Sequence, residues 1–152
     1  MKPLVVACGT PGRGDDAAGL LVARHLAELG IEVREHPGDG AALIELWDGR
    51  DFVILIDTVV TGGIPGTITV WDGLTAPVEG DAFRGTHAFG VAEAVKLGRA
   101  LGRMPAQLLI YGIEGGRFDL ESEPAPAVAA AALELAVLLA SAIPKRSARK
   151  IS

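Results

Sequence analysis

The sequence predicts a three-layer α/β/α domain with a five-stranded, mostly parallel twisted sheet and one antiparallel edge strand. Continuous apolar runs at residues 4–8 and 52–56 are typical of strands that are buried on both faces of a sheet. Helical apolar patterns separate the strand-like runs, and this alternation is typical of βαβ units. The connection over residues 58–66 is too short for a crossover helix, so the strand that follows it should run antiparallel at an edge.

Taken in order, the chain alternates between strand-like and helical segments. Strands are predicted at residues 4–8, 31–36, 52–56, 67–71 and 107–111, and helices at residues 17–29, 41–47, 87–101 and 125–143, with Thr86 as the N-cap of the third helix. Right-handed crossovers place the first strand between the second and the third. The strand order then reverses between strands one and three, which is where open α/β sheets bind their ligands.

Length and composition favour one domain of ordinary globular type. The chain has 152 residues, of which 49% are hydrophobic and 22% are charged. We assign residues 1–143 to a single α/β domain and residues 144–152 to a basic tail that we expect to be disordered. The net charge of −5 argues against a nucleic acid partner, and no apolar run is long enough to span a membrane. One cysteine excludes an internal disulfide, and we expect a cytoplasmic protein.

The predicted site is organised around residues 4–19. An apolar strand leads into a turn rich in Gly and Pro, and Asp15 and Asp16 then open a helix, where unpaired N–H groups favour negative charge. One carboxylate is enough to cap a helix, so the second is available for chemistry. A capped turn with no further role is one alternative. A nucleotide-binding loop is another, although the turn lacks a P-loop lysine and two aspartates would repel phosphate.

Polar residues from three further segments are expected at the same edge of the sheet. Asp57 ends the third strand, and His87 starts the third predicted helix. Glu114 and Arg117 follow the last strand and return to that edge. Asp16, Asp57 and His87 would make a three-ligand site for zinc, nickel or a similar ion, with coordination positions left open. The structural alternatives are a strand-end aspartate that binds the next loop and a histidine that bonds a nearby backbone group.

Cys8, the single cysteine, suggests a nucleophile paired with His87 and Asp57. It lies inside an apolar run, however, and buried free cysteines usually behave as small hydrophobic residues. A reactive thiol also needs an accessible, electropositive setting, which the neighbouring sequence does not offer. We therefore predict that Cys8 has a packing role.

Four segments of the chain together resemble the hydrogenase maturation proteases, the endopeptidases that trim the C-terminal extension from the large subunit of nickel-iron hydrogenases. In chain order they are ACGTPGRGDDAAG, ILIDTVVTGGIPGTI, THAFGVAEAV and LLIYGIEGGRF. The resemblance extends from residue 4 to about residue 137. One departure is that the family usually has Gly-Asn where this chain has Gly9-Thr10, and a hydroxyl lacks the second arm of the amide.

The resemblance implies both a metal site and a reaction. In that family an acidic residue of the first turn, the aspartate ending the third strand and the histidine of the third segment hold a metal. These correspond to Asp16, Asp57 and His87. The implied reaction is the hydrolysis of one peptide bond in the precursor of a nickel-iron hydrogenase large subunit after nickel insertion. Nickel would be supplied by the substrate, with zinc or cadmium able to substitute in vitro.

Two questions stay open at this point. The general base is not evident, and Asp15 and Glu114 are candidates only by position. A non-catalytic assembly factor that binds the nickel-loaded large subunit is an alternative function, which a cleavage assay distinguishes from a protease. A nucleotide- or phosphate-binding domain is a further alternative, and a nucleotide-dependent shift in melting temperature would support it.

Overall fold

The computed structural model describes residues 2–77 and 90–144. Five strands form one sheet, namely β1 (Leu4–Cys8), β2 (Arg34–His36), β3 (Phe52–Val59), β4 (Ile68–Asp72) and β5 (Gln107–Glu114). The helices are α1 (Ala18–Glu28), α2 (Gly40–Trp47), α3 (Val91–Leu101) and α4 (Pro126–Ala142), and a short 3-10 helix, Gly14–Ala17, precedes α1.

The sheet has the predicted topology. Its strand order is β2-β1-β3-β5-β4, so the first strand lies between the second and the third. The pairs β1–β2, β1–β3 and β3–β5 are parallel, whereas β4 pairs antiparallel with β5 at the edge of the sheet. We call the end of the sheet at which the four parallel strands finish its C-terminal edge, which is distinct from the lateral edges formed by β2 and β4. The strand order reverses between β1 and β3, as the sequence predicts.

Each face of the sheet is covered by two helices. Along β3, Ile54 and Ile56 join the hydrophobic cluster that includes α1 and α4, whereas Leu55 and Val59 join the cluster that includes α2 and α3. Successive side chains of a strand point to opposite faces. Asp57 lies between Leu55 and Val59 in this alternation, so its side chain is on the face that α2 and α3 cover.

A glycine lets α1 lie directly against the end of β1. A Cβ atom added to Gly19 would stand 2.2 Å from the carbonyl oxygen of Cys8, which is much closer than such atoms approach. Only glycine fits this contact. The close approach brings the 3-10 helix, and with it Asp15 and Asp16, to the C-terminal edge.

Three strands differ in length from the sequence prediction, and one of them, β5, continues to Glu114 where the prediction ended at residue 111. β3 does not end at residue 56, because its ladder with β5 continues through Asp57 to the pair formed by Val59 and Glu114. β2 begins at Arg34 and not at residue 31. Ile31 is buried in the core, and its N–H group donates to the oxygen of Leu26 at the end of α1 (2.9 Å).

The third helix begins at Val91, with Gly90 at its N-cap position, which is later than the predicted start. The predicted start at His87 and the predicted cap at Thr86 lie outside the described residues. The basic tail, residues 145–152, also lies outside them, so its disorder stays a prediction. Among the helices of the described ranges, none is long and apolar enough to cross a membrane.

Candidate active site

The first turn (residues 9–16) follows β1 at the C-terminal edge. Its N–H groups donate to backbone oxygens of the protein itself, in the pairs Gly9–His36 (3.3 Å), Thr10–Asp16 (3.1 Å), Gly14–Ser122 (2.9 Å) and Asp15–Arg117 (2.7 Å). A phosphate-binding loop needs such donors to be free and pointed at the ligand. Because most of the donors of this turn are bonded within the protein, the structure argues against the nucleotide-binding alternative.

Asp15 is a buried clamp between distant parts of the chain. Its side chain is 0% exposed. One carboxylate oxygen accepts N–H bonds from Gly116 (2.8 Å) and Arg117 (2.9 Å), and the other accepts from Ala125 (2.8 Å). The hydroxyl of Thr58 donates to the backbone oxygen of Asp15 (2.8 Å). With both carboxylate oxygens occupied, Asp15 positions the loop after β5 and is poorly suited to act as a general base.

Glu114 has a similar structural role at the end of β5. It is buried, and its carboxylate accepts hydrogen bonds from both the N–H group (2.7 Å) and the hydroxyl of Thr61. The backbone of Glu114 accepts from Gly66 (2.8 Å) and donates to Thr67 (2.8 Å). Glu114 therefore fixes both ends of the loop between β3 and β4. The second candidate for the general base is thus also engaged in holding a loop.

Asp16 and Asp57 are brought together at the C-terminal edge. Asp16 is buried in the 3-10 helix, and Asp57 is half-buried, with its carboxylate accepting from the N–H group of Thr58 (2.8 Å). Burial raises the pKa of Asp57 to about 8; the Thr58 hydrogen bond opposes this shift, and the negative charge of Asp16 adds to it. The negative charge of Asp16 therefore acts on Asp57 at this edge.

His87, the third predicted ligand, lies outside the described residues, so the three-ligand set stays a prediction. Val91, four residues later in the sequence, is buried on the face of the sheet that carries Asp57. The guanidinium of Arg99 donates to the oxygen of Gly73 (2.8 Å), and the N–H group of Gly73 bonds to Leu108 near the start of β5. The C-terminal half of α3 thus lies at the opposite edge, and α3 begins toward the C-terminal edge. Within residues 2–77 and 90–144, no three His, Cys, Asp or Glu residues group as metal ligands.

Cys8 is buried on the same face of the sheet as Asp57. Burial raises the pKa of its thiol well above the ordinary value, and the negative charge of Asp57 adds to the shift. A nucleophilic cysteine requires the opposite, a thiolate stabilised by positive charge. The structure therefore supports the predicted packing role.

A cavity of about 780 Å³ opens beside the first turn, on the β2 side of the C-terminal edge. Its walls come from the turn, α1, the end of β2 and the segment before α4, and include Gly12, Leu20, Arg24, His36 and Pro124. Neither Asp16 nor Asp57 lines it. The cavity therefore lies beside the carboxylate pair and does not enclose it.

His36, in the wall of this cavity, is held in the neutral form. Its Nδ1 atom accepts a hydrogen bond from the N–H group of Gly38 (2.9 Å), which requires an unprotonated nitrogen. Burial lowers the pKa of His36, and the negative charge of Asp39 partly opposes that shift.

The hydrogenase maturation protease family (HycI) matches residues 31–141, a range that contains Asp57 and His87 and begins after Asp16. Over 90 residues the chain is 32% identical to Protein FrxA of Pyrococcus furiosus. That match covers 55% of the chain and 61% of the relative, so the chain spans about three fifths of the length of this curated protein.

Solved structures share the fold over nearly the whole chain. The [NiFe] hydrogenase maturation protease HybD from Thermococcus kodakarensis is 28% identical, with a TM-score of 0.68 over 93% of this chain and 98% of that one. An endopeptidase from Escherichia coli has the same fold at 24% identity, with a TM-score of 0.74 over 94% and 95% of the two chains. With a family match over well more than half of its length, the chain belongs to the hydrogenase maturation protease family.

Proposed function

We propose that this chain is an endopeptidase that removes the C-terminal extension of a nickel-iron hydrogenase large-subunit precursor after nickel insertion. The observation that supports the proposal is that Asp16 and Asp57, from two separate segments, lie at one edge of the sheet in a chain of this family. His87 is proposed as the third ligand. We assign the reaction to the cytoplasm, since a single cysteine suits a reducing compartment.

The chemistry of the donor set fits a borderline divalent ion. Carboxylate and imidazole groups suit nickel and zinc, and a three-ligand site leaves positions open for groups of the substrate. A cation between Asp16 and Asp57 would also offset the repulsion between their charges. The nickel that the precursor carries would bind there and polarise the scissile carbonyl or activate a water molecule for attack.

The proposed site explains how the enzyme would act only on a finished substrate. Two carboxylates and one imidazole, without a thiolate, should hold a free ion weakly compared with a four-ligand structural zinc site. When the ion is already fixed in the precursor, ion and protein contribute to binding together. Cys8 is a buried, protonated thiol, so it offers no nucleophile for other peptides. Selectivity would then come from the substrate's own metal.

The direct test is to incubate the purified protein with matched nickel-loaded and nickel-free precursors and with unfolded casein. We expect cleavage of the nickel-loaded precursor alone. Equal cleavage of the nickel-free precursor, or efficient cleavage of casein, would refute the proposal. Tight binding of the loaded precursor without any cleavage would support the assembly-factor alternative instead.

Substitution of the proposed ligands tests their role separately. Asp57→Asn and His87→Gln should each lower kcat/KM by roughly 100-fold, the scale of losing one group that stabilises a transition state. Asp51→Asn, at an exposed residue just before β3 and therefore at the opposite edge of the sheet, is the control and should leave cleavage unchanged. Calorimetry with cadmium supplies a readout other than activity, because both ligand variants should lose the single ion that the wild type binds. Retained cadmium binding in both variants would exclude them as ligands.

A further inference from the structure

Two large apolar side chains project from the C-terminal edge into solvent. Ile64 is 79% exposed and Leu120 is 74% exposed, more than any other large hydrophobic side chain in the part of the chain that the structure describes. Single exposed apolar residues are common on protein surfaces and need no explanation by themselves. These two side chains differ from other exposed apolar residues in their position at the C-terminal edge and in the hydrogen bonds that hold their loops.

Both residues lie on loops at the C-terminal edge, where the carboxylate pair also lies. Ile64 belongs to the loop between β3 and β4, and Leu120 belongs to the loop between β5 and α4. These loops leave the C-terminal ends of two neighbouring parallel strands, one of which carries Asp57. They also touch, since a Cβ atom added to Gly116 would lie 3.1 Å from the ring of Pro65. The two loops thus form one continuous wall at the C-terminal edge, the edge at which Asp57 also lies.

The wall is held in place by buried groups. The carboxylate of Glu114 binds Thr61 on the first loop, and the carboxylate of Asp15 binds two N–H groups of the second. Beyond those bonds, the N–H group of Glu121 donates to the oxygen of Gly12 in the first turn (2.7 Å). Because the loops are already ordered, a partner that binds them need not provide the free energy to order them.

We infer that Ile64 and Leu120, which we call the rim surface, dock the folded body of the nickel-loaded large-subunit precursor. This inference rests on the proposed function, because an ion that is fixed in a partner protein can reach the carboxylates at the C-terminal edge only if that protein lies against this edge and its loops. An extended peptide that crosses the C-terminal edge does not contact both loops at once. A folded protein spans both loops and buries both side chains.

The expected effect is on binding and not on chemistry. Full burial of an isoleucine or leucine side chain changes affinity by roughly tenfold or more. The double variant Ile64→Ser/Leu120→Ser should therefore raise KM for the loaded precursor at least about tenfold and leave kcat within about twofold. A short synthetic peptide with the cleavage sequence, which does not span both loops, should compete equally well against the wild type and the variant.

The matched control is Leu101→Ser/Leu133→Ser. These leucines are 56% and 50% exposed, on the last turn of α3 at the opposite edge and on the outer face of α4. The control should leave KM unchanged. Melting temperatures and cadmium binding should stay at the wild-type values in both double variants, which verifies folding and an intact carboxylate pair. Single Ile64→Ala and Leu120→Ala variants, each with an intermediate KM, provide a milder form of the same test.

Two outcomes would overturn the rim surface: a KM in the rim variant that matches the control variant, or a loss in kcat with KM unchanged. Failure of the proposed function is recognised separately, because wild-type protein would then not cleave the loaded precursor at all. In that case calorimetric binding of the precursor decides the matter. Weaker binding by the rim variant than by the control would support the rim surface, and equal binding would reject it.

Discussion

Replacing Asp15 by asparagine should destabilise the protein without any specific effect on catalysis. An asparagine side chain keeps the shape of aspartate but has only one oxygen. Its NH2 group cannot accept a hydrogen bond from the backbone N–H groups that the second oxygen of Asp15 binds. If the oxygen faces Gly116 and Arg117, the bond to Ala125 is lost, and the other two bonds lose a charged acceptor.

The expected loss follows from these contacts. A hydrogen bond to a charged group contributes about 1.5–3 kcal/mol to stability, and an unsatisfied buried donor costs about 1–3 kcal/mol. Gly116 and Arg117 are exposed residues that water can reach, so we take the lower part of this range. Asp15→Asn should lower the free energy of unfolding by about 2–3 kcal/mol, or about 4–12 °C in melting temperature for a domain of this size.

Urea unfolding followed by circular dichroism measures the change, with Asp119→Asn as the control for removing one charge from the same region. The control should stay within about 0.5 kcal/mol of the wild type. Cleavage per folded molecule should be reduced far less by Asp15→Asn than by Asp57→Asn. A variant as stable as the wild type but inactive would refute our interpretation and restore Asp15 as a general base.

Three further predictions concern single residues. Cys8→Ala should leave most precursor processing intact and lower stability by about 1 kcal/mol or less, so loss of cleavage in the folded variant would restore a thiol mechanism. The lowered pKa of His36 means that the unfolded chain binds the proton more readily. Stability should therefore be complete above pH 6.5 and fall as the pH drops from 6.5 toward the lowered value, and unfolding curves of His36→Asn should lack this component. Thr61→Val removes one donor to Glu114. It should speed hydrogen exchange in the loop between β3 and β4, and unchanged exchange would show that the hydrogen bond from the Thr61 hydroxyl to Glu114 is not needed to hold this loop.

The fold was largely predictable from the sequence, because its main signals are local. Buried strands appear as apolar runs, and the short connection after β3 required an antiparallel neighbour. The strand boundaries were less accurate for a physical reason. Asp57 and Thr58 interrupt the apolar run, but the ladder with β5 continues through them, and pairing partners cannot be identified from one strand alone.

The roles of individual carboxylates were harder to predict. Asp15 and Asp16 are adjacent and chemically identical, and the sequence could only suggest that one was structural. What separates them is the set of N–H groups that Asp15 binds, the first of which is 101 residues away along the chain. Glu114 was likewise a candidate base by position, and its engagement with Thr61 depends on the path of a glycine-rich loop. Contacts of this kind have no signature in residue spacing.

The clamp formed by Asp15 also bears on when the protein becomes competent during its own synthesis. Its three N–H donors belong to the last third of the chain, between Gly116 and the residue before α4. The same third contains β5, which is one of the two neighbours of the central strand β3. Closing contacts across more than 100 residues is entropically demanding and slow compared with forming local structure. A nascent chain that has emerged only as far as α3 has the residues proposed to bind metal but lacks the segments that hold them in place. The C-terminal edge is completed last, so an unfinished chain would have no ordered surface for the precursor that we propose as its substrate.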